Sequence, residues 1–310
     1  MCIRDRFSMF SAKRITPYIE RFFGNVPITD SYEQRIADAR KALAETDCVL
    51  IGAGAGLSTA AGLDYGGACF KREFAEFIAR YGFTDLYTSS FYNFQTEEER
   101  WAYWAKHIGF ARFAPPAMKL YGYLFRLVSG KDYFVITTNV DGQFRKAGFA
   151  ADRLFEVQGD YAYLQCAEAC HDRLYYNEAL VREMSRNTEN CKIPSSLAPR
   201  CPVCGGAMEV NLRKDERFVE DAGWHARAER YERFLEERQN GRLVLLELGV
   251  GYNTPGIVRF PFERMTAENS DITLIRLNRD FPGRQTMGKG RFIGMNESMT
   301  DVIRDLNKSN

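Results

Sequence analysis

Four cysteines in two pairs carry the sharpest chemical signal in the chain: Cys166-x3-Cys170 and, after thirty intervening residues, Cys201-x2-Cys204. Two thiolate pairs at this spacing match the ligand set of a closed, tetrahedral Zn²⁺ site, and the Cys-Pro-Val-Cys-Gly-Gly run holds turn residues that let a knuckle's backbone approach sulfur. Four thiolates leave no open coordination position, so the zinc is expected to be structural and to take no part in chemistry. The alternative is four free thiols in a loop-rich stretch. His171 or Cys191 could substitute for a ligand, although each breaks the paired spacing. Crowding of this kind in a reducing compartment points to metal before disulfides.

A second constellation is the small-residue turn AGAGLSTAAGL after the apolar run CVLIG. Gly52, Gly54 and Gly56 are too closely spaced for the G-x-G-x-x-G dinucleotide fingerprint, and the segment that follows is helical where a second strand with an acidic end is required. Leu57 stands where a nucleotide triphosphate loop has its lysine. What remains is a set of backbone amides at a helix start, suited to a diphosphate. A tight strand-to-helix turn with close packing explains the same residues. Asn139 and Asp141 in TTNVDGQF follow a strand, where a parallel sheet presents side chains to its ligand crevice, yet both residue types are also ordinary turn formers. Gln158 in EVQGD ends another strand-like run and can bind a ligand but cannot act as a base. None of His107, His171 and His225 lies at a strand end near the glycine turn.

The elements that must position these groups alternate in type. Ile36, Ala39, Ala42 and Leu43 recur at helical spacing in YEQRIADARKALAET, which feeds the strand CVLIG. Residues 67–128 read as successive amphipathic, aromatic helices punctuated by Pro115-Pro116. YFVITTN and RLFEVQ are the next strands, and RAERYERFLEERQNG is a charged helix stopped by Gly241. RLVLLELG and ITLIRLN are apolar enough to be buried on both faces. This alternation predicts an α/β fold with a parallel sheet and ligands at the carboxyl ends of its strands. The expected division is a discontinuous Rossmann-like domain (32–66, 129–164 and 216–308), a helical module (67–128) and a zinc-binding module (165–215).

Forty-two basic against 41 acidic residues in 310 leave a net charge of +1, so no global electrostatic case exists for nucleic acid or an anionic membrane. No apolar run reaches the roughly 18 residues of a membrane span, and the opening MCIRDRFSMFSAKR has no apolar centre. The chain reads as cytoplasmic, with its first eight or so residues a tail outside the fold.

Taken in order, AGAGLSTAAGLD, TTNVD, EVQGD, the paired cysteines, LGVGYNTPG and LIRLN resemble the sirtuins over residues 32–308. The resemblance implies a Rossmann-like NAD domain with a small domain built from a helical and a zinc-binding insertion. It assigns NAD contacts to Ala53, Gly54, Ala55, Gly56, Ser58, Asp64 and Tyr65, to Asn139, Asp141 and Gln158, to Gly249, Val250 and Gly251, and to Asn278 near the adenosine ribose. The chain departs from the family pattern after Gly62-Leu63, where the proline is missing and Tyr65-Gly66 replaces Phe-Arg. Thr138 replaces a glutamine, Gly249-Val250-Gly251 stands for Gly-Thr-Ser, and Gln158-Gly159 stands for the His-Gly of the general base. A positioned base is worth about 10² to 10⁴ in rate, and a carboxamide has no usable proton affinity near neutral pH. Efficient deacylation is therefore not expected. Asn139, Asp141 and Gln158 remain as the catalytic set for nicotinamide–ribose cleavage, whose oxocarbenium-like transition state needs orientation and polar groups.

The same departures resemble the class M sirtuins of microbes. That resemblance implies a protein mono-ADP-ribosyltransferase acting on a lipoylated glycine-cleavage H-like carrier protein, with a macrodomain hydrolase that removes the mark. A weak NAD-dependent lysine deacylase and a non-catalytic NAD-binding module are the competing readings.

Overall fold

The computed structural model describes residues 28–308 except 47, 64, 239–240 and 285–287; the N-terminal tail and Asp64 lie outside the described residues. Helix α1 (Tyr32–Glu45) begins where Ser31 accepts the Gln34 amide, and its Ile36, Ala39, Ala42 and Leu43 face inward. Strand β1 (Cys48–Ala53), buried along its whole length, leads into α2 (Ala55–Ala61). Then come α3 (Ala68–Glu73), α4 (Ala75–Tyr81), the short α5 (Leu86–Ser89) and α6 (Glu97–Ile108), which continues into a π-helical turn at Gly109–Phe113. Helix α7 (Lys119–Val128) precedes β2 (Asp132–Thr137), and α8 (Gln143–Lys146) precedes β3 (Leu154–Glu156). Strands β4 (Gly159–Cys166) and β5 (Tyr175–Tyr176), helix α9 (Glu178–Arg186) and strand β6 (Met208–Leu212) follow. The chain returns through α10 (Ala222–Glu237), β7 (Leu243–Leu248), α11 (Arg259–Glu268), β8 (Ile272–Leu277), β9 (Arg291–Met295) and α12 (Met299–Leu306).

Two sheets result. The larger has the order β3-β2-β1-β7-β8-β9, and every pair in it is parallel. Written by position, this is the doubly wound order of Rossmann folds, with the direction of winding reversing between β1 and β7. Ala53 pairs with Leu248 at that reversal, so the segments leaving β1 and β7 emerge side by side. The smaller sheet, β5-β4-β6, is antiparallel.

Apolar side chains form three buried groups. One lies on the α1, α7 and α12 face of the large sheet and another on its α10 and α11 face. The third joins the aromatic helices (Phe70, Phe74, Trp101, Trp104) to the small sheet (Leu164, Cys166, Met208, Val210) in one core. Helix α7, grouped by sequence with residues 67–128, packs on the large sheet through Leu120, Tyr121, Leu124 and Val128. Its apolar stripe matches the sheet face, and the Pro115-Pro116 break before it frees it from α6. Among the described residues no helix is long and apolar enough to cross a membrane.

Candidate active site and zinc centre

At the reversal point the carboxyl edge of the large sheet faces the small domain across a cleft of about 840 Å³. Gly54, Ala55, Gly56, Tyr65, Asn139, Gln158, Gly249, Val250, Gly251 and Asn278 line it. Six separate stretches of the chain thus meet in one crevice, the place where an open parallel sheet binds its ligand. Ala53 is the last residue of β1 and fully buried, while Ser58 and Asp141 sit in the wall behind the lining.

The glycines explain how two loops fit where strands diverge. Gly54 donates to the Leu248 carbonyl and Gly56 to the Gly249 carbonyl, each at 3.0 Å. A β-carbon on Gly56 would meet the Gly249 α-carbon at 2.7 Å, and one on Gly249, whose φ is +61°, would meet the Leu57 nitrogen at 2.4 Å. Close packing of two backbones is therefore the direct reason for glycine here. The amides of Gly54 and Gly56 are spent on the neighbouring loop, so they are not free for a diphosphate; the same contact builds the cleft wall.

Behind that wall lies a buried polar hub. Asn139 Nδ2 donates to the Gly54 carbonyl at 3.0 Å, to Ser58 Oγ at 3.1 Å and to the Tyr121 hydroxyl at 3.3 Å. Ser58 Oγ lies 2.7 Å from the Tyr121 hydroxyl and donates to Asp141 Oδ2 at 2.5 Å. Asp141 Oδ1 accepts the Gln143 amide at 3.0 Å. Burial pushes the Asp141 carboxyl above its ordinary range, opposed by the Ser58 and Gln143 hydrogen bonds, which favour its ionised form. Asn139 alone of this hub reaches the cleft surface. The hub ties α2, α7 and the TTNVD turn together, so Asn139 is held in one rotamer.

Gln158 projects from a turn with little freedom. Gly159 has φ +98°, and a β-carbon there would stand 2.1 Å from the Asn211 carbonyl oxygen, so only glycine fits. The Gln158 carbonyl accepts the Arg213 amide at 3.0 Å, and the Val157 amide donates to the Thr137 carbonyl at 3.0 Å. The Gln158 carboxamide makes no hydrogen bond to another described residue, and Gln158 lines the cleft. The cleft lining contains no histidine among the described residues. His107 is buried under Trp104 and Tyr161, and His225 lies 3.8 Å from Glu220.

On the opposite side, Asn278 Nδ2 donates to the Val250 carbonyl at 2.9 Å, and its Oδ1 accepts the Asp280 and Phe281 amides at 3.1 and 3.0 Å. Asn278 thus cross-ties the loops after β7 and β8. Beneath them Glu247, Arg259, Glu263 and Arg276 form a buried network of two acids and two bases, with Arg276 Nε 2.8 Å from Glu247 and Nη1 2.8 Å from Glu263. Arg259 donates to the carbonyls of Phe281 and Gly283.

Several lining residues carry no local signal in the sequence: Tyr87 and Phe91, which stack edge to face and stay half exposed at the mouth; Arg213 at the end of β6; and Arg279 and Phe281. Asn296–Thr300 also line the cleft, and there Ser298 accepts the Asp301 amide as the cap of α12, a spacing legible in Ser-x-x-Asp.

The sulfurs of Cys166, Cys170, Cys201 and Cys204 lie within 4.8 Å of one another. Cys166 to Cys204 and Cys170 to Cys201 are each 3.7 Å, close to the roughly 3.8 Å edge of a tetrahedron with 2.3 Å zinc–sulfur bonds. The donor set and the spacing fit structural zinc. His171 Nε2 is 3.5 Å from Cys201 Sγ and 3.1 Å from the Tyr175 hydroxyl, a neighbour of the cluster and no replacement for a thiolate. Cys191 is buried in the small-domain core, apart from the cluster.

Comparison with known proteins agrees with this architecture. The Sir2 family pattern matches residues 54–218. A protein ADP-ribosyltransferase of Staphylococcus aureus is 39% identical over 265 residues, covering 85% of this chain and 84% of its own. A probable bifunctional ADP-ribose hydrolase/ADP-ribosyltransferase of Fusarium oxysporum f. sp. cubense is 35% identical over 268 residues, 81% of this chain but 43% of its own length. Among solved structures, a sirtuin studied for substrate affinity superposes with a TM-score of 0.54 at 18% identity, over 90% of this chain and 98% of its own, a likeness of fold. The protein belongs to the Sir2 family, the sirtuins.

Proposed function

We propose that this sirtuin is an NAD-dependent protein mono-ADP-ribosyltransferase that releases nicotinamide and passes ADP-ribose to a protein side chain. The observation that carries the reading is Gln158: a residue with a neutral carboxamide lines the cleft, and no histidine lines it among the described residues. A deacylase must deprotonate a ribose hydroxyl, which a carboxamide cannot do; a transferase needs a polar, oriented cleft and an acceptor that brings its own nucleophile. The 39% identity to a protein named for ADP-ribosyl transfer supports it.

Bound NAD supplies a nicotinamide–ribose bond whose cleavage leaves an electron-poor ribose carbon open to attack. Asn139, held by three hydrogen bonds, and Gln158, held by its backbone, orient the ribose and offer carbonyl oxygens to developing positive charge. Asp141 acts through Ser58 and the Asn139 hub. Gly249, Val250, Gly251 and Asn278 hold the adenosine half, and Tyr65 closes the nicotinamide side. The acceptor enters over the Tyr87 and Phe91 lip.

The acceptor in this reading is a lipoylated glycine-cleavage H-like carrier, with a macrodomain hydrolase removing the mark. The Fusarium relative, named for both hydrolysis and transfer, supports the pairing with a hydrolase. Labelled NAD incubated with the protein and the carrier tests the reading: label on the carrier upholds it, and nicotinamide release with no labelled protein overturns it.

A further inference from the structure

Asn139 and Gln158 belong to different turns, and a third segment contacts both turns from outside the sheet. The π-helical turn Gly109–Phe113, closed by the Ala114 amide on the Gly109 carbonyl at 2.8 Å, places Arg112 beneath the cleft. Single π-helical turns at the end of or inside α-helices are frequent at functional sites. Arg112 Nε donates to Asp160 Oδ1 at 2.7 Å and Nη2 to Asp160 Oδ2 at 3.1 Å, a two-point fork on a carboxylate two residues after Gln158. Asp160 Oδ1 also accepts the Ala162 amide at 2.8 Å, which fixes the start of β4.

The same guanidinium lies against the turn that carries Asn139 and Asp141. A β-carbon on Gly142 would stand 2.3 Å from Arg112 Cζ, and Gly142 has φ +66°, so this glycine exists where the arginine passes. Lys146, at the end of the helix that Gly142 opens, donates to the Arg112 and Pro115 carbonyls and pins the arginine's own backbone. The pair is nearly dry, with side-chain exposures of 12% for Arg112 and 8% for Asp160. A buried fork of this kind fixes geometry far better than an exposed ion pair.

We infer that Arg112 is a positioning residue, delivered by the helical insertion, that locks the Asn139–Gly142 turn and the Gln158–Asp160 turn into one register beneath the cleft. The inference rests on the proposed transferase reading, because it assigns Arg112 to the geometry of nicotinamide release. It also gives the helical insertion a part in catalysis, since a shift of the insertion would move both turns together.

The test measures nicotinamide release from NAD and binding of ADP-ribose by the full chain, using Arg112→Met, Arg112→Lys, Asp160→Asn and the Arg112→Met/Asp160→Asn double variant. An ångström-scale misplacement costs about 10²-fold, so kcat is expected to fall about 30- to 100-fold in Arg112→Met. ADP-ribose affinity is expected to stay within about threefold, because the Gly249 to Asn278 side is untouched, and the double variant is expected to be no slower than the slower single variant. A merely structural role would lower the melting temperature and the fraction of sites that bind ADP-ribose while leaving turnover per binding site unchanged, and that result would overturn the inference. Multiplying effects in the double variant would overturn it as well. If Arg112→Met does not fold, Arg112→Lys, which keeps the charge but not the fork, and Asp160→Asn decide by the same criteria. A parent protein that releases no nicotinamide would sink the function reading and this inference together; an active parent with fully active variants would sink this inference alone.

Discussion

Replacing Asn139 by alanine separates what its hub does for stability from what it does for catalysis. Its amide nitrogen donates to Gly54 O, Ser58 Oγ and Tyr121 Oη. None of these is orphaned by the change: Gly54 O keeps the Leu57 amide, Ser58 keeps Asp141 and Tyr121, and Tyr121 keeps Ser58. The stability loss is therefore about 1–3 kcal/mol, a net hydrogen-bond cost without an unsatisfied buried group. In a chain of this size that is a drop of about 1.5–5 °C in melting temperature. The rate is predicted to suffer more. Asn139 is the hub member that reaches the cleft, and losing an oriented polar group at the reacting centre costs about 10² or more, roughly 2.7 kcal/mol of barrier. Tyr121→Phe is the control, since Tyr121 is fully buried behind the wall and losing its hydroxyl removes hub hydrogen bonds while leaving the Ser58–Asp141 bond in place. Nicotinamide release, followed by chromatography alongside thermal melts of both variants, is the assay. A release rate for Asn139→Ala within about threefold of the parent, or a Tyr121→Phe variant equally slow at equal stability, refutes this assignment.

Three further outcomes follow from the same geometry. Gln158→Ala is predicted to slow transfer about tenfold, while Gln158→His introduces a group titrating near 6.5 and alters acceptor geometry; unchanged transfer in both would remove Gln158 from the mechanism. Cys204→Ser breaks a four-sulfur set with no spare ligand, so bound zinc, read by metal analysis, and soluble yield are predicted to fall together, and retained zinc stoichiometry would contradict the assignment. Burial, with the nearby Lys214 charge, holds His107 down to about 3 against 6.5 in the unfolded chain. The unfolded state then binds the proton first, so the His107 contribution is complete above about pH 6.5 and is lost as pH falls toward 3, by about 1.4 kcal/mol per pH unit. Urea titrations from pH 7 to 4 are predicted to show a shallower acid decline in His107→Phe, and parallel curves would contradict it.

The sheet was legible because its central strands are continuous apolar runs, and CVLIG, YFVIT, LVLLEL and ITLIRL all pair in parallel. Strand β9 was not, since RFIGM is a short edge strand set among glycines and polar residues. The cysteine spacing foretold the four-sulfur cluster because two short-range pairs nearly define a tetrahedron. The glycine turn was visible, but not that Gly56 and Gly249 demand each other, since 193 positions separate them. Tyr121 and Arg112 were missed for the same physical reason: each reaches its partner across the fold from a helix whose local pattern reports only amphipathicity. Rim residues such as Tyr87 and Arg213 become neighbours only once the small domain packs over the sheet edge.

The central claim is that ADP-ribose from NAD goes to a protein side chain. Labelled NAD should therefore be offered in parallel with the lipoylated carrier, its unlipoylated form and an acetylated lysine peptide, with nicotinamide, protein-bound label and acyl loss measured together. The account predicts label on the lipoylated carrier in step with nicotinamide release and no acyl loss from the peptide. NAD-dependent loss of the acetyl group with an unlabelled carrier would contradict it.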